Sequence, residues 1–285
     1  MNLFLNLFAA ESGPTLHVAP GAVFEIGGWT ITNSILYGWF SSLLIAVLLI
    51  WVARRVSVRP KGGLVQYIEA VVEFIENLVL NAFDKKSLGH KYSPYFVTLF
   101  FFILLNNWLG LLPIVGEGFR VHDTPLLRPF TGDWNGTLAM AAITMIFVYV
   151  SSVKESGGLR KYLRHFFVGN PLHPFYFFIG LLEMISDLTR VVSLSIRLFL
   201  NVAIGEMVIA VFAYLGQFAA PLTALPFTLI ELGVGALQAY IFVLLGVMYL
   251  AIAVNHSQQH ELDEHEDVST SDPQTKPVAL NAEKA

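Results

Sequence analysis

The sequence predicts an all-α polytopic membrane protein with about five membrane-crossing helices and one interfacial amphipathic helix. Hydrophobic residues make up 55% of the chain and charged residues only 13%, which excludes a disordered chain and argues against an ordinary soluble domain. Several apolar runs are long enough to cross a hydrocarbon core of about 30 Å. The net charge of −4 and the absence of Cys give no sign of a nucleic-acid partner, a disulfide or thiol chemistry.

A membrane domain is predicted over 30–255, after an external N-terminal tail over 1–29. The first span covers 31–53, and the positive-inside rule places its basic flank in the cytoplasm. That flank holds Arg54, Arg55, Arg59 and Lys61. Over 63–83, apolar residues recur at helical spacing opposite three glutamates, a pattern typical of a helix that lies along the interface.

Two further spans are predicted over 94–112 and 137–152. Near the end of the first of these, Asn106 and Asn107 are expected to mark a helix end at the interface. The loop after the second is basic and therefore cytoplasmic; it carries Lys154, Arg160, Lys161 and Arg164. Both basic loops lie on the same side, which places the N-terminus outside and the C-terminus in the cytoplasm.

The stretch 175–215 is nearly free of turn signals. At 1.5 Å per residue it would form roughly 60 Å of helix, about twice the bilayer core. It is either two vertical spans with a hidden turn, which hydropathy favours, or one steeply tilted helix, which its continuous polar stripe favours. A turn over 216–226 precedes the last span at 227–254, and the acidic tail over 256–285 is expected to be cytoplasmic and disordered.

The polar stripe runs along one helical face of 181–206. Its members follow one another at steps of three or four: Glu183, Ser186, Arg190, Ser193, Arg197 and Asn201. An arginine at membrane depth costs on the order of 2.5–3.5 kcal/mol and keeps its proton, so Arg197 must face a carboxylate, water or another subunit. We therefore interpret Arg197 as a functional residue.

Two carboxyl groups accompany this stripe in the membrane. An ideal helix puts Glu206 roughly opposite Arg197, where it could face a water cavity, and Glu231 shares one face of the last helix with Gln238 and Tyr249. Intramembrane acids are typical parts of proton relays. Arg197 cannot relay protons, but it can attract an anion or block a cation.

Several of these residues could also have a purely structural role. Ser186 and Ser193 also fit helix packing, and Glu183 or Asp187 could pair with Arg190 on the same helix. Arg197 has no acid three or four residues away, so local ion pairing does not account for it.

Four motifs now give a resemblance. The run 193–201 (SLSIRLFLN) with Gly205 and Glu206, the run 106–113 (NNWLGLLP), the run 133–138 (DWNGTL) and the run 237–242 (LQAYIF) resemble, in order and spacing, the signature segments of subunit a of the F-type ATP synthase. The resemblance covers roughly 30–255. Where that family usually has Pro and Gly, this chain has Val191 and Leu200.

The resemblance implies a stator subunit with two offset half-channels that load and unload protons on a carboxylate of the rotating c ring. It maps the family's essential arginine to Arg197, which would face the ring carboxylate and prevent a proton short circuit. It maps Asn201, Glu206, Glu231 and Gln238 to the outer half-channel and the surroundings of the arginine, and Glu183 and Ser186 to the inner exit. It also implies that the last two crossing helices are long and steeply tilted.

The implied partners are the c-subunit ring, the b-subunit peripheral stalk, the other ATP synthase subunits and membrane lipid. The implied location is a bacterial plasma (inner) membrane. We expect a chain that is non-catalytic by itself and needs no cofactor, since it contains no nucleotide-binding motif. The choice between H⁺ and Na⁺ is made around the ring carboxylate, on another chain.

Two other functions fit parts of the sequence. A secondary transporter could hold an anionic substrate on Arg197, but the chain has no internal repeat and no pair of broken helices. A purely structural scaffold leaves the cost of Arg197 unexplained.

Overall fold

The computed structural model describes residues 21–26, 29–55, 63–112, 115, 120–121, 124–125, 128–155, 158 and 174–270. Several predictions concern residues outside these ranges. They are most of the N-terminal tail over 1–29, the end of the acidic tail, and the basic residues Arg59, Lys61, Arg160, Lys161 and Arg164. The described helices are α1 (Asn33–Ala53), α2 (Leu64–Ala82), α3 (Lys86–Gly110), α4 (Trp134–Glu155), α5 (Pro174–Gly216) and α6 (Ala220–Thr270).

This architecture confirms the all-α polytopic membrane fold. Four apolar stretches are long enough to cross a membrane. The fourth, Leu188–Asn255, contains most of α5 and the part of α6 up to Asn255. The described helices thus provide five crossing elements, with α2 as the additional amphipathic helix. Two short antiparallel hairpins were not predicted: β1 (Ala22–Ile26) with β2 (Trp29–Thr32), and β3 (Arg120–Val121) with β4 (Thr124–Pro125).

The stretch around Arg197 is one continuous helix. α5 has 43 residues and therefore a length of about 65 Å, which decides between the two alternatives in favour of a single long helix. It is joined to α6 by a single 3₁₀ turn over Gln217–Ala219, shorter than the predicted turn. Pro221 is tolerated because the first turn of a helix has no partner for its missing N–H.

The α5–α6 hairpin is closed by contacts next to this turn. The Thr223 hydroxyl donates a hydrogen bond of 2.7 Å to the carbonyl of Phe212, and the Phe212 and Phe227 rings stack with centroids 3.8 Å apart. A Cβ atom at Gly216 would overlap the Thr223 hydroxyl, so the close approach requires glycine.

The core lies where α3, α4 and α5 pack against α6. Phe96 and Ile103 of α3, Leu198 of α5 and Phe242 of α6 are fully buried, and Tyr95 stacks on Phe147 of α4. The apolar face of α2, which the sequence predicted to lie along the membrane interface, joins the same core through Ile75 and Val79. Because this core holds α5 by one face only, the opposite face of α5 is left uncovered by the other helices that the structure describes.

α3 begins at Lys86, well before the predicted start at Pro94. The packing of α2 explains the difference: Gly89 lies directly against Leu80, so this first part of α3 is held by tertiary contacts. At the same end, Lys91 and Tyr92 bond Glu155 of α4, with distances of 2.5 and 2.7 Å to its Oε1 atom.

α6 continues to Thr270, so residues 256–270 are helical where the sequence predicted disorder. The physical reason is the absence of a helix breaker: no Gly or Pro lies between Gly246 and Pro273, and Gln, Glu and Leu favour helix.

We predict that cysteines at positions 212 and 227 cross-link. The chain has no natural cysteine, and the stacked rings of Phe212 and Phe227 place these positions together. A short bifunctional thiol reagent should convert the variant carrying Phe212→Cys and Phe227→Cys into an internally linked form, detected by gel mobility. The control is Phe218→Cys with Phe227→Cys, since Phe218 is 93% exposed at the turn; equal yields for the two pairs would contradict the hairpin.

Candidate site along the exposed face of α5

Arg197 lies on the face of α5 that the core does not cover. Leu194 and Leu198 are buried, and Ser195 hydrogen-bonds Thr137 of α4 at 3.2 Å, which fixes the rotation of the helix. The opposite stripe is exposed, and it includes Leu188, Ser193, Arg197, Leu200 and Ile204. Within the described part of the chain, Arg197 has no carboxylate within ion-pair distance.

Two grooves run along α5, and Arg197 is the residue that they share. One is lined by Leu188, Thr189, Val192, Ser193, Ile196 and Arg197. The other, between α5 and α6, is lined by Arg197, Leu200, Asn201, Ile204, Gly205, Val208, Phe227, Ile230, Glu231 and Gln238. We call them the lower and the upper groove. The structure therefore brings four predicted site residues together in the upper groove: Arg197, Asn201, Glu231 and Gln238.

The wall of the upper groove contains two buried side-chain amide groups. The Nδ2 atom of Asn201 and the Nε2 atom of Gln238 are buried and have no hydrogen-bond partner among the described residues. Buried amides are usually satisfied by protein or by water. This wall is therefore suited to holding water molecules.

Glu231 approaches the backbone of α5 closely. Its carboxyl group lies against Gly205, where a Cβ atom would overlap all of its carboxyl atoms. Gly205 is thus the position that lets the two helices meet with a carboxylate between them.

Glu206 is half-buried and points away from the stripe that carries Arg197. It faces the 3₁₀ turn Phe130–Gly132, where a Cβ atom at Gly132 would lie 3.7 Å from its Oε1 atom. The Glu206 carboxylate interacts electrostatically with Arg128 and Glu231 and with the phenol of Tyr37. The helical spacing correctly predicted that Glu206 and Arg197 face different surroundings.

Sequence analysis missed Arg128 and Tyr37. Arg128 sits in a loop of mixed charge, and its side chain is only 8% exposed. Its place five residues before the 133–138 motif was the one available signal. Tyr37 lies within an apolar span, and its hydroxyl donates a long hydrogen bond of 3.4 Å to the carbonyl of Asn106.

Asn106 and Asn107 do not face an interface, although α3 ends nearby at Gly110. Both side chains are buried, and Asn107 donates a hydrogen bond of 3.2 Å to the Gly235 carbonyl of α6. Trp108 donates a second one, of 3.0 Å, to the Leu232 carbonyl. These residues join α3 to α6 beside the upper groove, a long-range role that local sequence did not reveal.

At the other end of the stripe, Ser186 is exposed, and its carbonyl accepts a hydrogen bond from Thr189. The guanidinium of Arg190 lies over the ring of Tyr249, 5.0 Å from the centroid. Glu183 belongs to α5, but its side chain and that of Asp187 lie outside the described part of the structure. Among the described residues, no group of three His, Asp or Glu side chains could hold a metal ion.

Comparisons with known proteins agree with these features. A family model described as ATP synthase A chain matches residues 35–251. The protein named ATP synthase subunit a from Syntrophobacter fumaroxidans is 33% identical over 259 residues, covering 90% of this chain and 98% of that protein. The proteins of the same name from Geotalea uraniireducens (33% identical, covering 87% of this chain and 94% of that one) and Acidothermus cellulolyticus (30% identical, covering 85% and 86%) are also similar.

We predict that Gly205→Ala destabilises the protein by about 1–3 kcal/mol, the usual cost of overpacking. The new methyl group would overlap the Glu231 carboxyl and force the helices apart. Thermal unfolding of the purified protein in detergent measures the effect. Gly233→Ala is the matched control, because a Cβ atom there meets nothing within 4 Å. The double variant Gly205→Ala with Glu231→Ala should recover stability, and no recovery would contradict this contact.

Proposed function

The chain belongs to the ATP synthase A chain family, and we propose that it conducts protons through two offset half-channels that meet at Arg197. It is a multi-pass membrane subunit of the F-type ATP synthase that takes part in proton transport and ATP synthesis.

The position of Arg197 carries the proposal. It is exposed on α5 together with Leu188, Leu200 and Ile204, at the point where the lower and upper grooves meet. A permanent charge facing lipid would be costly. A carboxylate on a neighbouring subunit, the c ring, would repay that cost and would explain why Arg197 has no acidic partner among the described residues.

In this proposal the upper groove is the outer half-channel. Glu206 and Glu231 accept and release protons, while the unpartnered amides of Asn201 and Gln238 hold water along the groove wall. A proton that reaches the groove opposite Arg197 is delivered to the ring carboxylate. The ring then carries it away from the outer half-channel.

The lower groove is the inner half-channel. Ser186 and Glu183 precede this groove in α5, toward the end of the helix that is predicted to face the cytoplasm. Arg197 stands between the two grooves. Its charge favours the ionised ring carboxylate, and because it keeps its proton it blocks direct passage between the half-channels.

The exposed stripe of α5 supports the c ring as partner, since it is long, continuous and uncovered by other described helices. The b-subunit stalk would contact another face. The basic residues near α1 and α4 support a cytoplasmic C-terminus, and the proposed location is a bacterial plasma membrane. Nucleotide chemistry is assigned to other chains of the complex, so this subunit is non-catalytic by itself.

We predict that Arg197→Ala abolishes ATP-driven proton pumping in inverted membrane vesicles while the complex still assembles. Passive proton leak should rise, because the block between the grooves is removed. Arg197→Lys should keep the leak low but pump poorly, since lysine lacks the planar fork and can lose its proton. Assembly is checked by co-purification with the other subunits.

Arg190→Ala serves as the matched control, because it removes the same charge from the same helix. Arg190 lies over an aromatic ring, away from the junction of the grooves, and its variant should pump protons. Normal pumping by an assembled Arg197→Ala complex would overturn the proposed function and leave this chain as a scaffold.

A further inference from the structure

The first turn of α4 contacts α5 just before and just after Arg197. The hydroxyl of Thr137 lies 3.2 Å from the hydroxyl of Ser195, and both side chains are fully buried. Trp134 meets Phe199 edge to face, with the ring centroids 5.9 Å apart. Residues three or four positions apart are neighbours on one helix face, so two adjacent side chains of α4 hold two adjacent side chains of α5.

This first turn of α4 is itself firmly held. The Thr137 hydroxyl has a backbone acceptor, the Trp134 carbonyl, at 3.0 Å. Its proton therefore goes to the backbone, and the Ser195 hydroxyl donates to the Thr137 oxygen. Gly136 packs so closely on Phe130 that a Cβ atom there would lie 2.6 Å from the Phe130 carbonyl oxygen. The Thr137 oxygen is thus a fixed acceptor to which α5 is attached.

Apolar packing by itself specifies the rotation of α5 only weakly. Large apolar side chains occur on both faces of the helix, since Leu198 is buried whereas Leu200 and Ile204 are exposed. Lipid tails are as apolar as these side chains, so burying one face in place of another gains little in a membrane. A hydrogen bond between side chains of two helices forms in one rotation only. The bond between Ser195 and Thr137 therefore selects one rotation of α5.

The selected rotation determines where Arg197 lies. With 3.6 residues per turn, Arg197 is about 160° away from Ser195 around the helix axis. Because Ser195 is bonded inside the core, Arg197 is placed on the exposed face, where the two grooves meet. Rotation of α5 by one residue position, about 100°, would carry Arg197 out of this junction and open the barrier between the half-channels.

We propose that Thr137 is a positioning residue for proton transport, which keeps Arg197 at the junction of the grooves by holding Ser195. The inference rests on the proposed function of Arg197 and adds a residue of α4 that lines neither groove. Loss of the bond leaves the chain folded but lets α5 rotate, so that protons leak past Arg197.

The competing explanation is that the bond only stabilises the contact between α4 and α5. Thr137→Val removes the hydroxyl, keeps the shape of the side chain and leaves the Ser195 hydroxyl without its acceptor. Combining Thr137→Val with Ser195→Ala removes both hydroxyls, so no buried polar group is left unsatisfied and most of the lost stability returns. If the bond were only stabilising, pumping would return as well. If it positions Arg197, assembly returns and pumping does not.

The test uses the whole complex in inverted vesicles, with assembly checked by co-purification. We expect the double variant to assemble, to leak protons and to pump about two- to tenfold fewer protons per ATP hydrolysed, the range expected for the loss of one hydrogen bond. Thr137→Ser keeps the hydroxyl and should behave like the parent protein. Thr144→Val is the matched control and should pump normally. Thr144 is also buried in α4, but it accepts a hydrogen bond from Tyr95 of α3 and does not bond α5.

A thiol label reports the rotation of α5 directly, because the chain has no natural cysteine. Val202 is buried on the same face as Ser195, whereas Ile204 is exposed in the upper groove. In the Val202→Cys background, the double variant should raise labelling by a membrane-permeant maleimide about two- to tenfold. Labelling of Ile204→Cys should stay unchanged and serves as the reference for the reagent.

Three results would overturn the inference: a double variant that pumps and is labelled like the parent, a double variant that does not assemble, or equal leak and labelling for Thr144→Val and the double variant. Arg197→Ala is measured in the same vesicles. If it abolishes pumping while the Thr137 variants behave like the parent, only the role of Thr137 fails. If Arg197→Ala pumps normally, the proposed function itself fails.

Discussion

A permanent charge on the outward-facing surface of a helix long and apolar enough to cross a membrane is the constraint on which the rest of this structure depends. Arg197 cannot lose its proton, and burial in lipid would cost several kcal/mol. Leu194, Leu198 and Val202 bury the opposite face of α5 in the core, which prevents the helix from rotating the arginine inward. The fold therefore presents Arg197 outward for a partner and keeps it out of any internal ion pair among the described residues.

The other polar groups are arranged behind this charge, between α5, α6 and the end of α3. Close backbone approaches make the arrangement possible: Gly205 admits the Glu231 carboxyl group, and Gly216 admits Thr223 at the turn. Asn107 and Trp108 bond carbonyls of α6 and fix α3 beside the same groove. Small residues at helix contacts and side-chain hydrogen bonds to backbone are common means of packing in membranes.

Local patterns predicted much of this fold and part of the site. Apolar runs identified the crossing helices, and the three-to-four spacing placed Arg197 and Asn201 on one face. The helical repeat of 3.6 residues also predicted that Glu206 lies roughly opposite Arg197. Features set by tertiary contacts were missed. Pro94 lies inside a helix, α6 starts before Pro221, and the carboxyl group of Glu206 faces Gly132 of a loop distant in sequence. No periodicity encodes such meetings, and the helical extension to Thr270 shows that a polar composition alone does not determine disorder.

Offset half-channels require the two grooves to open to opposite sides of the membrane. Labelling with a membrane-impermeant thiol reagent tests this directly, because the chain has no natural cysteine. Thr189→Cys reports on the lower groove and Ile204→Cys on the upper one. Offset half-channels predict that, in sealed vesicles of known orientation, position 189 reacts only from the cytoplasmic side and position 204 only from the outer side. Reaction of both positions from the same side would contradict the account.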